Sequence, residues 1–243
     1  MKWEEVEEAL VRSENVAIVP VGSTEQHGKH LPLGSDSFAA IGLADDVAKR
    51  TGAVVAPPIW FGWSPHHMWL PGTITLRPET LIDVVVDVCK SLIHHGFRKI
   101  VIINGHRMAN LPPLQLACAR VEQETDSIVK LVDPMPMSEE IREELNIPPL
   151  GHADEMETSH MLFLHPELCE MEKVVKYVPP PSKDVRDTWF PRRPPAGEAL
   201  EELKRKSGGT GKWPEYATKE KGEMIHRAIV NNIVELIENL KKK

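Results

Sequence analysis

Three potential metal ligands follow the first apolar run of the chain. Glu25 and His27 are two residues apart, so in an extended segment their side chains face the same way, and Asp36 follows nine residues after His27. Carboxylates and an imidazole on one loop are groups that zinc or manganese binds. In the alternative interpretation this is a polar loop in which Asp36 only caps a helix. The spacing alone leaves both interpretations open.

A fourth potential ligand lies in residues 103–110, which read INGHRMAN. Asn104 and Gly105 are typical of a tight turn, and this turn would place His106 at the end of a strand. The simpler interpretation is a strand-to-helix turn that happens to carry a histidine. Two separate strand ends that both present potential ligands favour a metal site, because ligands of open α/β sheets bind at that edge.

A third polar group lies in residues 151–159, GHADEMETS, where His152, Glu155 and Glu157 fall close together. Asp154 and Glu157 also form a D-x-x-E capping box at the start of a predicted helix. We therefore expect only one of the two glutamates to be a ligand, while the other caps the helix or acts as a base.

Residues 62–73, GWSPHHMWLPGT, interleave aromatic and polar side chains. This pattern suits the wall of a pocket for a small polar ligand, and we expect Ser64, His67 and Trp69 to contact the substrate. The alternative is a hydrophobic loop that packs on a neighbouring subunit, and both can hold. Among the eleven histidines, His160 and His226 fall in helical patterns and are predicted to be structural.

The elements that must position these groups alternate between strands and helices. Apolar runs predict strands, and apolar residues at helical spacing predict helices. The predicted strands are 15–21, 53–57, 99–103 and 128–132, and the predicted helices are 4–13, 37–51, 78–96, 111–124, 139–145, 155–164 and 217–243. This order predicts an α/β fold with a mostly parallel sheet covered by helices. Residues 178–195 are predicted to be a loop and residues 207–214 a glycine-rich turn.

Composition excludes several classes of protein. The chain has 243 residues and a net charge of −7, so a nucleic-acid partner is not expected. No apolar run reaches the ~20 residues of a membrane span, and the acidic N-terminus argues against a signal peptide. Three widely spaced cysteines favour a reducing cytoplasm. We expect residues 1–243 to form one catalytic domain.

At these segments the chain resembles the creatininase (creatinine amidohydrolase) family. The specific block is E-x-H-G-x-H-L-P-L-x-x-D over residues 25–36, and the resemblance continues in residues 71–73 (PGT), 104–106 (NGH), 152–159, 211–214 and 217–222. The matches keep the family's order and cover most of the chain.

The resemblance implies a three-layer α/β/α sandwich, oligomers that are often hexamers, and two divalent ions per chain, zinc, manganese or iron. It implies that Glu25, Asp36 and His106 hold one ion, and that His27 and the bridging Asp36 hold the other. For the fifth ligand, creatininase has a Glu two residues after the His of its N-G-H motif, where this chain has Met108. Relatives have a Glu in the H-A-G-E-x-E-T-S block, so Glu157 is our choice, with Glu155 as its rival.

The implied activity is hydrolysis of a small, cyclic substrate by a water that the metal ions activate. His152 is the candidate for stabilising the oxyanion or moving a proton, and Glu155 is the alternative proton carrier. Arg107 and Asp154 depart from the family pattern N-G-H-G-G-N and H-A-G-E. Arg107 could hold an anionic or carbonyl group, and both departures place creatinine itself in doubt as substrate.

We expect an amidohydrolase that acts on a lactam or formamide C–N bond. The alternative enzyme opens a cyclic ketone such as an inosose by C–C hydrolysis. A third interpretation, an oligomeric metal-binding scaffold without activity, is disfavoured by the intact ligand set.

Overall fold

The computed structural model describes residues 1–134, 136–147, 151–176, 201 and 211–243. The predicted loop at 178–195 and the first part of the glycine-rich turn at 207–214 lie outside these described residues.

Within these described residues, four strands form one parallel sheet. They are β1 (Val16–Val21), β2 (Val54–Val55), β3 (Lys99–Asn104) and β4 (Ile128–Val132), in the order β2-β1-β3-β4. All three neighbouring pairs are parallel. Val21 of β1 pairs with Asn104 of β3, so both central strands end at the same edge of the sheet.

Seven α-helices accompany the sheet in the described part of the chain. They are α1 (Val6–Arg12), α2 (Ser35–Thr51), α3 (Pro78–His94), α4 (Arg107–Glu124), α5 (Glu139–Glu144), α6 (Glu155–Leu164) and α7 (Lys219–Lys241). The prediction was wrong at the start of α4, which begins four residues earlier than expected, at Arg107. The helix starts at the turn itself because the Asn110 N–H donates to the His106 carbonyl.

The helices cover both faces of the sheet. On one face, Leu43 of α2 and Ile229 and Ile233 of α7 pack with Ile18 and Val101 of the strands. On the other face, α3 and α4 pack through a second buried cluster that includes Leu81, Val85, Ile100, Ile102 and Leu114. The predicted three-layer α/β/α arrangement is therefore confirmed.

The central strands β1 and β3 lack hydrophobic alternation because both of their faces are buried, and β1 is buried along its whole length. All three cysteines are free. Within the described residues, the helices are too short or too polar to cross a lipid bilayer.

Candidate metal centre

The ends of β1 and β3 bring the predicted ligands together. Glu25 and His27 lie on the loop after β1, Asp36 lies in the first turn of α2, and His106 follows β3. The turn at Gly105 is essential to this convergence. A Cβ atom there would lie 2.0 Å from the backbone oxygen of Asp36, so only glycine lets α2 begin this close to the end of β3.

Asp36 lies between the two histidines. Its Oδ1 is 3.1 Å from His27 Nε2, and its Oδ2 is 3.0 Å from His106 Nδ1. The carboxylate is 4 % exposed and the His27 ring is fully buried. One carboxylate that faces two imidazoles from its two oxygens has the shape that a bridging ligand requires.

Glu25 completes the His106 side of the centre. Its Oε2 lies 3.2 Å from His106 Nε2 and accepts a hydrogen bond from Ser23 Oγ at 3.0 Å. Ser64 Oγ is 2.6 Å from Ser23 Oγ and 3.2 Å from His106 Nε2. Ser64, which belongs to the segment predicted to contact substrate, is therefore held beside His106 directly and beside Glu25 through Ser23.

Glu157 lies on the His27 side, with its Oε2 3.7 Å from His27 Nε2. The turn at the start of α6 fixes its direction, but the predicted D-x-x-E capping box forms only in part, because Glu157 accepts from Ala153 and not from the N-cap residue Asp154. Asp154 Oδ1 accepts from the Glu157 N–H at 3.0 Å, and Glu157 Oε2 accepts from the Ala153 N–H at 2.6 Å. The capping residue and the candidate ligand are thus held by the same turn.

Glu155 is not brought to the centre. Its carboxylate is buried and accepts a hydrogen bond from Lys221 Nζ of α7, which also donates to the Tyr216 carbonyl at 3.0 Å. This ion pair joins the start of α6 to the C-terminal segment. Glu155 was the alternative expected ligand or proton carrier. In the structure Glu157 and His152 lie at the centre, whereas Glu155 pairs with Lys221.

His152 and His67 lie above Glu25 and stack on each other, with ring centroids 4.0 Å apart. From Glu25 Oε1, His67 Nε2 is 3.3 Å away and His152 Nδ1 is 3.5 Å away. Gln26 holds the pair, since its Nε2 lies 2.8 Å from both His67 Nδ1 and His152 Nε2. The Gly28 N–H donates to Gln26 Oε1 and so turns the amide nitrogen toward the two rings.

The charges of the centre are strongly coupled. Burial alone would lower the pKa of His27, but the carboxylates of Asp36, Glu157 and Glu25 together outweigh burial, Asp36 most of all, and raise this pKa to about 10. Likewise, burial opposes the charged form of His106, but Glu25 and Asp36 raise its pKa to about 9. Burial raises the pKa of Glu157 to about 8. Burial also keeps the pKa of His152 and that of His67 well below the usual value, so both rings are neutral.

These residues fit a pair of divalent cations. Glu25 Oε1 and Asp36 Oδ2 are buried and have no hydrogen-bond donor aligned with them among the described residues. Ligand atoms of Glu25, His27 and Asp36 lie within 4.8 Å of one another, as do those of His27, His152 and Glu157. Buried carboxylates without donors are costly unless a cation compensates them.

A cleft of about 650 Å³, its open mouth included, leads to this centre. His27, Asp36, Arg107 and Glu157 all line it. Arg107 Nε lies 3.4 Å from Asp133 Oδ1, and its buried Nη1 has no hydrogen-bond partner among the described residues. Trp69 is half-buried on its loop.

Sequence reasoning missed the residues that hold the candidate ligands and the residue that holds Glu155 away from them. Ser23, Gln26 and Lys221 carry no signal of their own, because serine, glutamine and lysine are common on polar loops and helix surfaces. Ser23 and Gln26 lie inside the motif around Glu25 and His27, so their proximity in sequence was the one available hint.

Comparison with known proteins gives consistent matches along the chain. A family model named Creatininase, described as creatinine amidohydrolase, matches residues 1–237. A 3-dehydro-scyllo-inosose hydrolase from Thermotoga maritima is 36 % identical over 185 residues, which is 74 % of this chain. The match spans 59 % of that relative's length. A creatinine amidohydrolase from Pseudomonas putida is 29 % identical, with 98 % of this chain and 94 % of the relative covered.

Solved structures agree with these matches. The manganese form of creatininase superposes with a TM-score of 0.81 and 28 % identity, covering 98 % of this chain and 96 % of that one. A Zn–Zn form of a creatininase variant superposes with a TM-score of 0.79 and 28 % identity, over 98 % of this chain and 95 % of that one.

Proposed function

Because the chain belongs to the creatininase family, we propose that it is a metal-dependent hydrolase that cleaves a C–N bond of a small, cyclic amide or a formamide. Water attacks the substrate's carbonyl carbon and the C–N bond breaks. A cyclic amide then gives one open chain that carries a carboxylic acid and an amine, and a formamide gives formate and a free amine. The observation that carries the proposal is the position of Asp36 between His27 and His106, at the carboxyl ends of the parallel strands β1 and β3.

We assign five residues to two divalent ions, with zinc, manganese or iron as the candidates. Glu25, Asp36 and His106 hold one ion, and His27, Asp36 and Glu157 hold the other. The assignment is supported by the contacts of Asp36 and by the position of Glu157 on the His27 side. Bound ions of this kind supply a Lewis acid and lower the pKa of a coordinated water toward ~7.

The protein's own residues then orient the substrate and move the proton. His152 is neutral and lies at the Glu25 side of the centre, so it can accept a proton from the water and return it to the leaving nitrogen. His67, which stacks on His152, and Arg107, which lines the cleft, are positioned to bind the substrate's polar groups. Ser64 and Trp69 belong to the same candidate wall, and Glu155 is left out of the reaction.

A second candidate reaction is the opening of a cyclic ketone, an inosose, by C–C hydrolysis. The 36 % identity to a 3-dehydro-scyllo-inosose hydrolase favours it. Water would attack the ring carbonyl, the adjacent C–C bond would break, and the released carbon would take up a proton. The open-chain product is a carboxylic acid and no amine forms.

One panel separates the two reactions. Lactams, formamides and inososes are incubated with the zinc- or manganese-loaded protein, and amine and acid products are both quantified. Release of equal amounts of amine and acid supports the amidohydrolase. Acid without amine, from inososes only, supports the ketone hydrolase, and turnover of none of the compounds contradicts both.

The proposal includes location and assembly. Three free cysteines fit a reducing cytoplasm, and a hexamer is the assembly that the family resemblance implies. Residues 1–243 act as one catalytic domain with a small-molecule substrate. Light scattering of the purified protein measures the assembly directly.

A further inference from the structure

A buried chain of hydrogen bonds joins three helices behind the candidate centre. His160 Nε2 of α6 lies 2.8 Å from His226 Nδ1 of α7, and His226 Nε2 lies 3.1 Å from Asp46 Oδ2 of α2. The two rings are almost fully buried, at 6 % and 2 % exposure. Asp46 is partly exposed, and its other oxygen accepts from Lys49 Nζ at 2.7 Å. This chain lies outside the metal-ligand set assigned above.

The packing of α7 on α6 makes the chain possible. A Cβ atom at Gly222 would lie 1.9 Å from the backbone oxygen of Ser159, so glycine is needed where the two helices touch. His226 follows Gly222 by one helical turn and is therefore on the face that meets His160. The sequence patterns had predicted purely structural roles for both histidines.

The protons in the chain can be placed in only one order. Hydrogen bonds lower the pKa of Asp46, so it is a carboxylate and can only accept. His226 must then donate from Nε2. Burial lowers the pKa of His226 below its usual value, so the ring is neutral and its Nδ1 accepts. His160 consequently donates from Nε2 and keeps its own Nδ1 unprotonated. Burial lowers the pKa of His160 to about 3, so the ring stays neutral.

His160 also lines the cleft that contains Glu157, Arg107 and Asp36. Glu157 precedes it by three residues on the same helix, so the two side chains share a face of α6. A neutral imidazole that a carboxylate-histidine chain fixes in one tautomer presents a defined acceptor, because its remaining nitrogen carries no hydrogen.

We propose that Asp46 and His226 are positioning residues that fix the tautomer of His160, and that His160 Nδ1 accepts a hydrogen bond from a hydroxyl or N–H group of the substrate. The substrate class is thereby narrowed to carbonyl compounds that carry such a donor. The recognition step rests on the proposed function, whereas the tautomer order does not depend on it.

The tautomer is tested by long-range ¹⁵N NMR of zinc-loaded protein labelled at histidine. The expected spectrum shows His160 protonated at Nε2 and bare at Nδ1, with the signal assigned through His160→Gln. Asp46→Ala should release this preference, and Lys49→Met, which removes only the outer partner of Asp46, should leave it unchanged. A proton on His160 Nδ1 in the unmodified protein would overturn the inference.

Recognition is tested on the same sample with 2-imidazolidinone and its 1,3-dimethyl derivative, which lacks N–H groups. We expect the first compound to shift the His160 Nδ1 resonance and to bind about 3- to 10-fold more tightly than the second. His160→Leu should abolish this preference, and His160→Gln, which retains an acceptor, should restore part of it. A Nδ1 resonance that responds to neither compound, or equally to both, overturns the inference. Metal content and turnover of the same sample report separately on the proposed function.

Discussion

Glu155 and Glu157 lie two residues apart at the start of α6, yet their carboxylates serve different partners. Glu157 Oε2 lies 3.7 Å from His27 Nε2 at the centre, whereas Glu155 accepts from Lys221 of α7. Side chains two residues apart on a helix point in directions about 200° apart, so Glu155 and Glu157 cannot both reach the same ion. The hydrogen bonds of Glu157 with Asp154 and with the Ala153 N–H hold it toward the centre.

Exchanging each glutamate for glutamine should separate these roles. Glu157→Gln is expected to lose about one ion per chain, because it removes a charged ligand from the His27 side. Glu155→Gln is expected to keep its metal and lose about 1–3 kcal/mol of unfolding free energy, since Lys221 is left without its buried partner. Elemental analysis and urea denaturation of both variants measure the two effects. The assignment is wrong if Glu155→Gln is the variant that loses metal.

Asp36→Ala should remove both ions, because both assigned ion positions share this carboxylate. Turnover should fall to background, and elemental analysis should find less than about one ion per ten chains. Asp45→Asn is the matched control, since Asp45 is an exposed acid on the same helix. Unchanged metal content and turnover in Asp36→Ala would contradict the assignment of Asp36 as the ligand that both ions share.

The affinity for metal should rise with pH. Without a metal, the pKa of His27 is raised to about 10 and that of His106 to about 9, so both rings carry a proton at neutral pH. A metal ion binds only the unprotonated nitrogen of each ring, so binding releases protons. Protons therefore compete with the metal ion, and this competition weakens as the pH rises toward the two pKa values. Zinc titrations at about pH 6 and about pH 8 should show about tenfold tighter binding per pH unit for each proton released. An affinity independent of pH would contradict the buried ion pairs.

Arg107→Gln should raise KM about tenfold or more with a smaller change in kcat, because the guanidinium binds the substrate without joining the chemistry. Arg107→Lys should recover only part of the loss, since lysine lacks the planar arrangement of donors. Arg77→Gln is the control at an exposed arginine. If Arg107→Gln instead lowers kcat about tenfold and leaves KM unchanged, Arg107 takes part in the chemical step.

The sequence was sufficient for the features that depend on local pattern. Apolar runs located β1 and β3, and the parallel sheet that the pattern predicted places the ends of both strands at one edge, whereas the pairing of Val21 with Asn104 is known only from the structure. The convergence of Glu25, His27, Asp36 and His106 follows in turn, because neighbouring parallel strands end at one edge.

What remained open depends on side-chain direction and on contacts between distant elements. The choice between Glu155 and Glu157 needs Lys221, which is 66 residues from Glu155 and reaches it only once α7 packs on α6. The same packing creates the chain from Asp46 through His226 to His160, across 180 residues of sequence. Hydrophobic periodicity places α6, α7 and α2 but does not specify which polar groups meet between them.

Elemental analysis of the purified protein, paired with turnover before and after a chelator, tests the central claim most directly. We predict about two divalent ions per chain, loss of turnover when they are removed, and its recovery when zinc or manganese is restored. A protein that contains none of these ions and hydrolyses its substrate equally well in the presence of the chelator would contradict the assignment of Glu25, His27, Asp36, His106 and Glu157.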